Sequence, residues 1–261
     1  MDDNAPGLRT QDSPSGPGVG PGRALPAWAI PAATALAYLL PGFFAGGPSP
    51  LQADALLGAA ALRASHAVFL IVIIGLTGPF AEFGLRRPRF SDLARAFAWA
   101  ATALIVAMAA GMAVKLVREL AAAWAAGWAA SDAPGSGASA TELLVGGLVD
   151  AAREAPGRTA LLVGLFCLAV GYREELFYRG YAIRSMLSLG AGDKAAWALS
   201  SLLFAAGHAY QGPAGMLSSG LIGLIFGRAF LRGGSLHALA WAHALFDFLI
   251  FAGALGYFGG A

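Results

Sequence analysis

The sequence predicts an all-α, polytopic transmembrane helix bundle of about seven or eight spans, and two observations lead there. First, only 12% of the 261 residues are charged while 57% are hydrophobic, and mean hydropathy is +0.65. A soluble domain carries about a quarter charged residues, so this chain cannot cover a water-facing surface, and a soluble enzyme is excluded. Second, apolar runs recur near the length of roughly 20 residues that crosses about 30 Å of hydrocarbon. The 36 glycines, among abundant alanine, let helices approach closely in lipid. A net charge of +2 gives no electrostatic reason for a nucleic-acid partner. The single cysteine, Cys167, rules out an internal disulfide framework and a cysteine-only metal cage.

Residues 1–23 are rich in Pro, Gly, Ser and Asp without apolar periodicity, which reads as a disordered tail. No basic region leads directly into a short apolar core there, so it is not a signal peptide. Seven apolar stretches follow, at about 25–44, 55–80, 93–116, 159–187, 195–210, 215–232 and 235–258. They divide into N-terminal transmembrane helices within 24–130, a linker and interfacial helix over 131–158, and a core over 159–258. The run 117–130 either extends the third span or forms an eighth element. Ser139 and Glu142 have capping-box spacing, predicting a helix start. Beyond it Leu144, Leu148 and Ala152 share a face, with Asp150 and Arg153 elsewhere, which suits an interfacial helix or a plain connector. Gly223 and Gly227 have the small-xxx-small spacing of a helix contact.

Orientation follows from where Lys and Arg fall. Arg86, Arg87 and Arg89 mark the loop after the second span as cytoplasmic. Seven spans then place Arg9, Arg23, Arg184, Lys194, Arg228 and Arg232 inside, with Lys115, Arg118, Arg153 and Arg158 outside. The expected location is a cytoplasmic membrane with the N-terminus inside, and the Ala-rich composition points to a bacterial one.

The fourth span carries Arg173, Glu174, Glu175 and Arg179 in its middle. Each charge at mid-bilayer costs about 2.5–3.5 kcal/mol on the insertion scale, whereas a Leu or Phe returns only about 0.3–0.6. Unpaired, the four would cancel the whole apolar run, so they must be paired and face a polar cavity. Glu175 and Arg179 lie four apart on one helical face, with the acid N-terminal as an ion pair prefers. Glu174 falls on another face and is left as a base; alternatively all four charges form one ion-pair network. In the fifth span Phe204 and His208 share a face, and in the seventh His243 and Asp247 do. His66 and His237 read as ordinary packing residues. One Glu, two His and one Asp from three helices can converge on one water or one metal ion.

Taken together these residues resemble the CPBP family of intramembrane proteases, which includes the CAAX prenyl endopeptidases and the bacteriocin-processing, Abi-like relatives. The family pattern EExxxR, FxxxH and HxxxN/D reads here as Glu174-Glu175-Leu-Phe-Tyr-Arg179, Phe204-Ala-Ala-Gly-His208 and His243-Ala-Leu-Phe-Asp247. The resemblance covers roughly 159–258. It implies that Glu174 and His208 activate a water for peptide-bond hydrolysis, that His243 and Asp247 steady the oxyanion, and that the substrate is a peptide or membrane protein. Glu175 and Arg179 would hold the catalytic helix and Phe204 would line the pocket. An ionised Asp cannot donate to an oxyanion as Asn does. Asp247 must therefore be protonated, orient His243, or bind a cation. A Zn²⁺ on His208, His243 and Asp247 stays open beside a metal-free glutamate mechanism.

Other intramembrane chemistries fit less well. HExxH is absent, and Leu217-Ser218-Ser219-Gly220 lacks the first Gly of GxSG. Two competing classes remain: an ion- or proton-coupled transporter, which also uses intramembrane Glu, His and Asp, and a non-catalytic membrane scaffold of the same fold.

Overall fold

The computed structural model describes residues 53–126 and 148–255. Within them the chain is helical, without a strand: α1 is Ala53–Thr77, α2 Phe90–Ala126, α3 Pro156–Glu175, α4 Arg184–Ser188, α5 Asp193–Gly207, α6 Gly212–Leu231 and α7 Leu236–Ala254. Short 3₁₀ turns cover Phe80–Phe83 and Ala209–Gln211, and a helical stretch spans 148–154. The tail, the stretch 25–44, the linker and the Ser139–Glu142 pair lie outside the described residues.

Four helices are long and apolar enough to cross a membrane, over Ala55–Thr77, Phe90–Ala122, Gly212–Leu231 and Leu236–Ala254. The predicted fourth and fifth spans do not reach that standard. α3 ends in the charged run, and α5 has only 15 residues. The run from 117 continues α2 as one helix to Ala126. Nothing in AVKLVRELAAA breaks a helix, and its Ala, Leu, Lys and Glu favour one. At 37 residues, α2 is about 55 Å long at 1.5 Å per residue, well beyond the hydrocarbon thickness. Its surface is apolar, as lipid requires: Ile105, Met108 and Met112 are exposed, as are Val68, Val72 and Leu76 on α1.

α3 does not stop at the charges. It passes into a π-helical segment, Leu176–Ile183, and then into α4 without a break. The i→i+5 turn is rare and recurs at functional sites. All eight of its residues are buried, Arg179 included, so this segment is the centre of the bundle. Around it pack Leu70 and Ile74 of α1, Phe204 of α5, Phe226 of α6 and Leu239 of α7. Leu148 and Ala152 are buried with Leu56 and Val163, while Asp150 and Arg153 pair at 3.5 Å in the open. The predicted stripe on this stretch therefore faces the protein.

Glycines set two close crossings. A Cβ on Gly171 would stand 2.5 Å from the Ala240 carbonyl oxygen and 3.0 Å from the Ala244 nitrogen, so only glycine lets α3 lie this near α7. Gly223 and Gly227 seat α6 on α5, where a Cβ would meet Ser201 Cα at 3.2 Å and Trp197 Cδ1 at 2.8 Å. At one end the loops are tied: Arg86 Nη2 donates to the Gly233 carbonyl at 2.7 Å, and Arg184 Nη2 lies 3.9 Å from Glu82 Oε2.

The α3–α7 crossing gives a direct test. Gly171→Ala overpacks it and is expected to cost about 1–3 kcal/mol, read as a lower thermal midpoint of the detergent-solubilised protein. Gly111→Ala, which meets nothing within 4 Å on α2, should not lower it.

Candidate active site

The end of α3 presents two neighbouring carboxylates, and the fold treats them differently. Glu175 is fully buried, and its Oε1 lies 3.0 Å from Arg179 Nη1. The same oxygen accepts from His243 Nδ1 at 2.9 Å. Because an ionised carboxylate only accepts, the His243 ring carries its proton on Nδ1 in this contact. The Arg179 guanidinium, also fully buried, lies over the Phe204 ring at 4.4 Å. An aromatic face is one of the few apolar surfaces that attracts a cation. Phe204 also touches both imidazoles, with ring centroids 4.6 Å from His208 and 5.8 Å from His243.

Glu174 has its Oε1 bound by Arg173 Nη2 at 2.6 Å. Its Oε2 is buried without a hydrogen-bond partner among the described residues. That oxygen faces His208 Nε2 at 3.8 Å and His243 Nε2 at 3.7 Å. His208 caps the end of α5 and donates Nδ1–H to the Phe204 carbonyl at 2.8 Å. A carbonyl can only accept, so in the neutral ring the Nε2 lone pair is turned toward Glu174. Separations of 3.7–3.8 Å are too long for direct hydrogen bonds and are the kind that a water bridges.

Asp247 stands at the more open side of the cluster. Its side chain is 23% exposed, against 7% for His243, and its Oδ2 lies 3.6 Å from His243 Nε2. Of the three roles open to it from sequence, the hydrogen bond that orients His243 belongs to Glu175 instead. Asp247 sits one turn further along α7 and reaches only the Nε2 edge. The Gly171 crossing brings Glu175 to the Nδ1 edge. Glu174, His208, His243 and Asp247 thus meet in one place, with Glu175, Arg179 and Phe204 packed behind them.

One contact escaped the sequence reading, and a second was open there only as part of a four-charge network. Glu175 to His243 joins different helices, and no local spacing encodes it. Arg173 is adjacent to Glu174, and neighbours one apart do not normally face each other on a helix. His237 is a hydrogen-bonded packing residue as read: Nε2–H donates to the Arg86 carbonyl at 2.7 Å, and Nδ1 accepts from Tyr172 Oη at 2.9 Å. For the zinc alternative, no three or more His, Cys, Asp or Glu side chains among the described residues form a group that could hold a metal ion.

Residues 156–249 match the model of the Rce1-like family, described as Type II CAAX prenyl endopeptidase Rce1-like. The matched span holds every residue of the cluster, from Arg173 to Asp247, and agrees with the CPBP resemblance. No curated protein and no solved structure matches the chain. Its apolar helices and its likeness to a membrane protease family make this an integral membrane protein.

Removing one partner of the fully buried pair should be severe. Arg179→Met leaves Glu175 without its guanidinium, with an expected loss of about 3–5 kcal/mol, measured as thermal unfolding in detergent. The double variant Glu175→Gln/Arg179→Met should regain part of that loss.

Proposed function

We propose that the chain is an intramembrane endopeptidase of the CPBP, CAAX-protease-like type that hydrolyses a peptide bond with a water activated by Glu174 and His208. The observation that carries this reading is Glu174 Oε2, buried, without a hydrogen-bond partner among the described residues, and facing the Nε2 atoms of two histidines on two other helices. A water between these three atoms has two acceptors for its protons, Glu174 Oε2 and the neutral His208 Nε2. Arg173 holds the other oxygen of Glu174, so the base cannot rotate away from the water.

Glu174 takes a proton as the water oxygen attacks the scissile carbonyl carbon. His243, as an imidazolium, donates Nδ1–H to Glu175 and Nε2–H to the oxyanion that develops. Glu174 then returns its proton to the leaving amine. General acid–base help of this kind contributes about 10²–10⁴ in rate, and one oxyanion donor about 10²–10³. Asp247 faces the same Nε2 from the open side and steadies the imidazolium charge. Glu175 and Arg179 fix His243 and Phe204, and Phe204 packs against the two imidazoles.

In the membrane, the reading has seven spans, with the α3–α4 helix and α5 sheltered by their more apolar neighbours. The basic loops around Arg86 and Arg232 face the cytoplasm, as does the N-terminus. The substrate is a peptide end or an unwound stretch of a membrane protein that enters from the Asp247 side.

Membrane proteomes of cells carrying the wild-type chain or Glu174→Gln should differ by peptide ends present only with the wild type. On a substrate found this way, Glu174→Gln and His208→Ala should each lower cleavage by at least about 10² without loss of membrane insertion. Full activity in either variant would remove the proposed base or its partner. Asp247→Asn should keep a measurable rate, because an amide can still donate to the oxyanion.

A further inference from the structure

One cavity among the described residues lies away from the carboxylate–histidine cluster. It encloses about 600 Å³ at the basic end of the bundle, between α2, α5 and α6, and shares no residue with the cluster. Arg95, Arg228 and Arg232 line it together with Trp99 and Trp197. Its remaining walls include Leu224, Ile225 and Ala229.

Three features set it apart from the ordinary scatter of positive residues near a cytoplasmic surface. The first is uncompensated charge. Arg228 and Arg232 lie one turn apart at the end of α6, and neither side chain has an ion-pair or hydrogen-bond partner among the described residues. Arg95 pairs with Asp92 at 3.5 Å, but the other oxygen of that carboxylate caps α2 by accepting from Arg89 N at 2.9 Å. No acidic residue lines the cavity, and among the described residues Asp92 is the one carboxylate paired with any of its three guanidiniums. The second is a rigid aromatic frame. Trp197 donates Nε1–H to the Leu224 carbonyl at 2.7 Å and sits where Gly227 leaves room, while Trp99 packs edge-on against Phe226 at 6.4 Å. The third is depth. α6 ends where α2 and α5 begin, so all five side chains lie within about two and a half turns of a helix end, or roughly 14 Å. That is the level of the headgroups, where Trp collects and where arginines meet lipid phosphate.

We propose that this cavity binds a phosphate-bearing anion, and that its occupant is the headgroup of an anionic phospholipid. Guanidiniums take phosphate oxygens in paired hydrogen bonds. The volume falls in the range of small-molecule sites, about 300–1,000 Å³. The apolar walls suit the start of an acyl chain, which a free phosphate does not have.

The test uses the full chain in detergent, with lipid binding read by native mass spectrometry. Phosphatidylglycerol should bind as one saturable equivalent, and Arg228→Gln/Arg232→Gln should weaken it at least tenfold. Arg228→Lys/Arg232→Lys should recover part of the binding. Arg87→Gln/Arg89→Gln, whose side chains do not line the cavity, should leave it unchanged. Inorganic phosphate separates the two sources: competition at millimolar concentration without any preference for phosphatidylglycerol would assign the cavity to a soluble phosphate ester and overturn the lipid. Equal loss in the 87/89 variant would reduce the effect to general surface charge and overturn the site. A second reading needs no arginine variant: phosphatidylglycerol with brominated chains should quench tryptophan fluorescence saturably. Trp99→Phe/Trp197→Phe should lose that component, and its persistence there would also overturn the site.

Discussion

A carboxylate that cannot reach water must be neutralised inside the protein, and Glu175 meets that demand through two helices at once. Its Oε1 holds Arg179 at 3.0 Å on its own helix and His243 at 2.9 Å on α7. Breaking such a buried pair by removing one side is far costlier than any surface salt bridge. The contact therefore does more than compensate a charge: it fixes the rotation of α3 against α7 and the ring plane of His243. The close crossing at Gly171 makes the contact possible, because a side chain there would collide with the α7 backbone.

With Glu175 committed, its neighbour is free to differ. Consecutive helical residues point about 100° apart. Glu174 leaves the Arg179 side and turns toward the space between His208 and His243, with only one of its oxygens held by Arg173. Two carboxylates adjacent in sequence therefore have different environments: Glu175 Oε1 takes a guanidinium and an imidazole, whereas Glu174 Oε2 faces two imidazoles at distances too long for direct hydrogen bonds. Phe204 ties the two halves together. The ring that accepts the Arg179 cation on one contact touches the two imidazoles on the others.

The molecule is polar at its centre and apolar on much of its surface, the reverse of a soluble enzyme. Val68, Ile105 and Met112 are exposed, while Arg179, Glu175 and Ser200 are buried. In hydrocarbon this arrangement is favourable, since apolar side chains lose nothing by facing lipid and every buried charge must find its partner within the bundle. The basic end has another character. There Arg228 and Arg232, without partners among the described residues, stand beside the indoles of Trp99 and Trp197.

Composition alone settled that the chain lives in lipid, because too few charged residues remain to cover a wet surface. The apolar stretches located the four helices that can cross a membrane, and helical spacing paired Glu175 with Arg179, since both depend on neighbours within one or two turns. The continuation of α2 to Ala126 followed from its residues too, though length alone left an eighth element open. What could not be read was anything that joins one helix to another. The hydrogen bond from His243 to Glu175, Phe204 packed against two imidazoles, and the arginine cavity formed by α2, α5 and α6 arise from crossings set by the absence of a Cβ at Gly171, Gly223 and Gly227. A glycine in sequence does not say which helix it will let in. Only the packed bundle decides that, and with it which edge of His243 meets Glu175 and which meets Asp247.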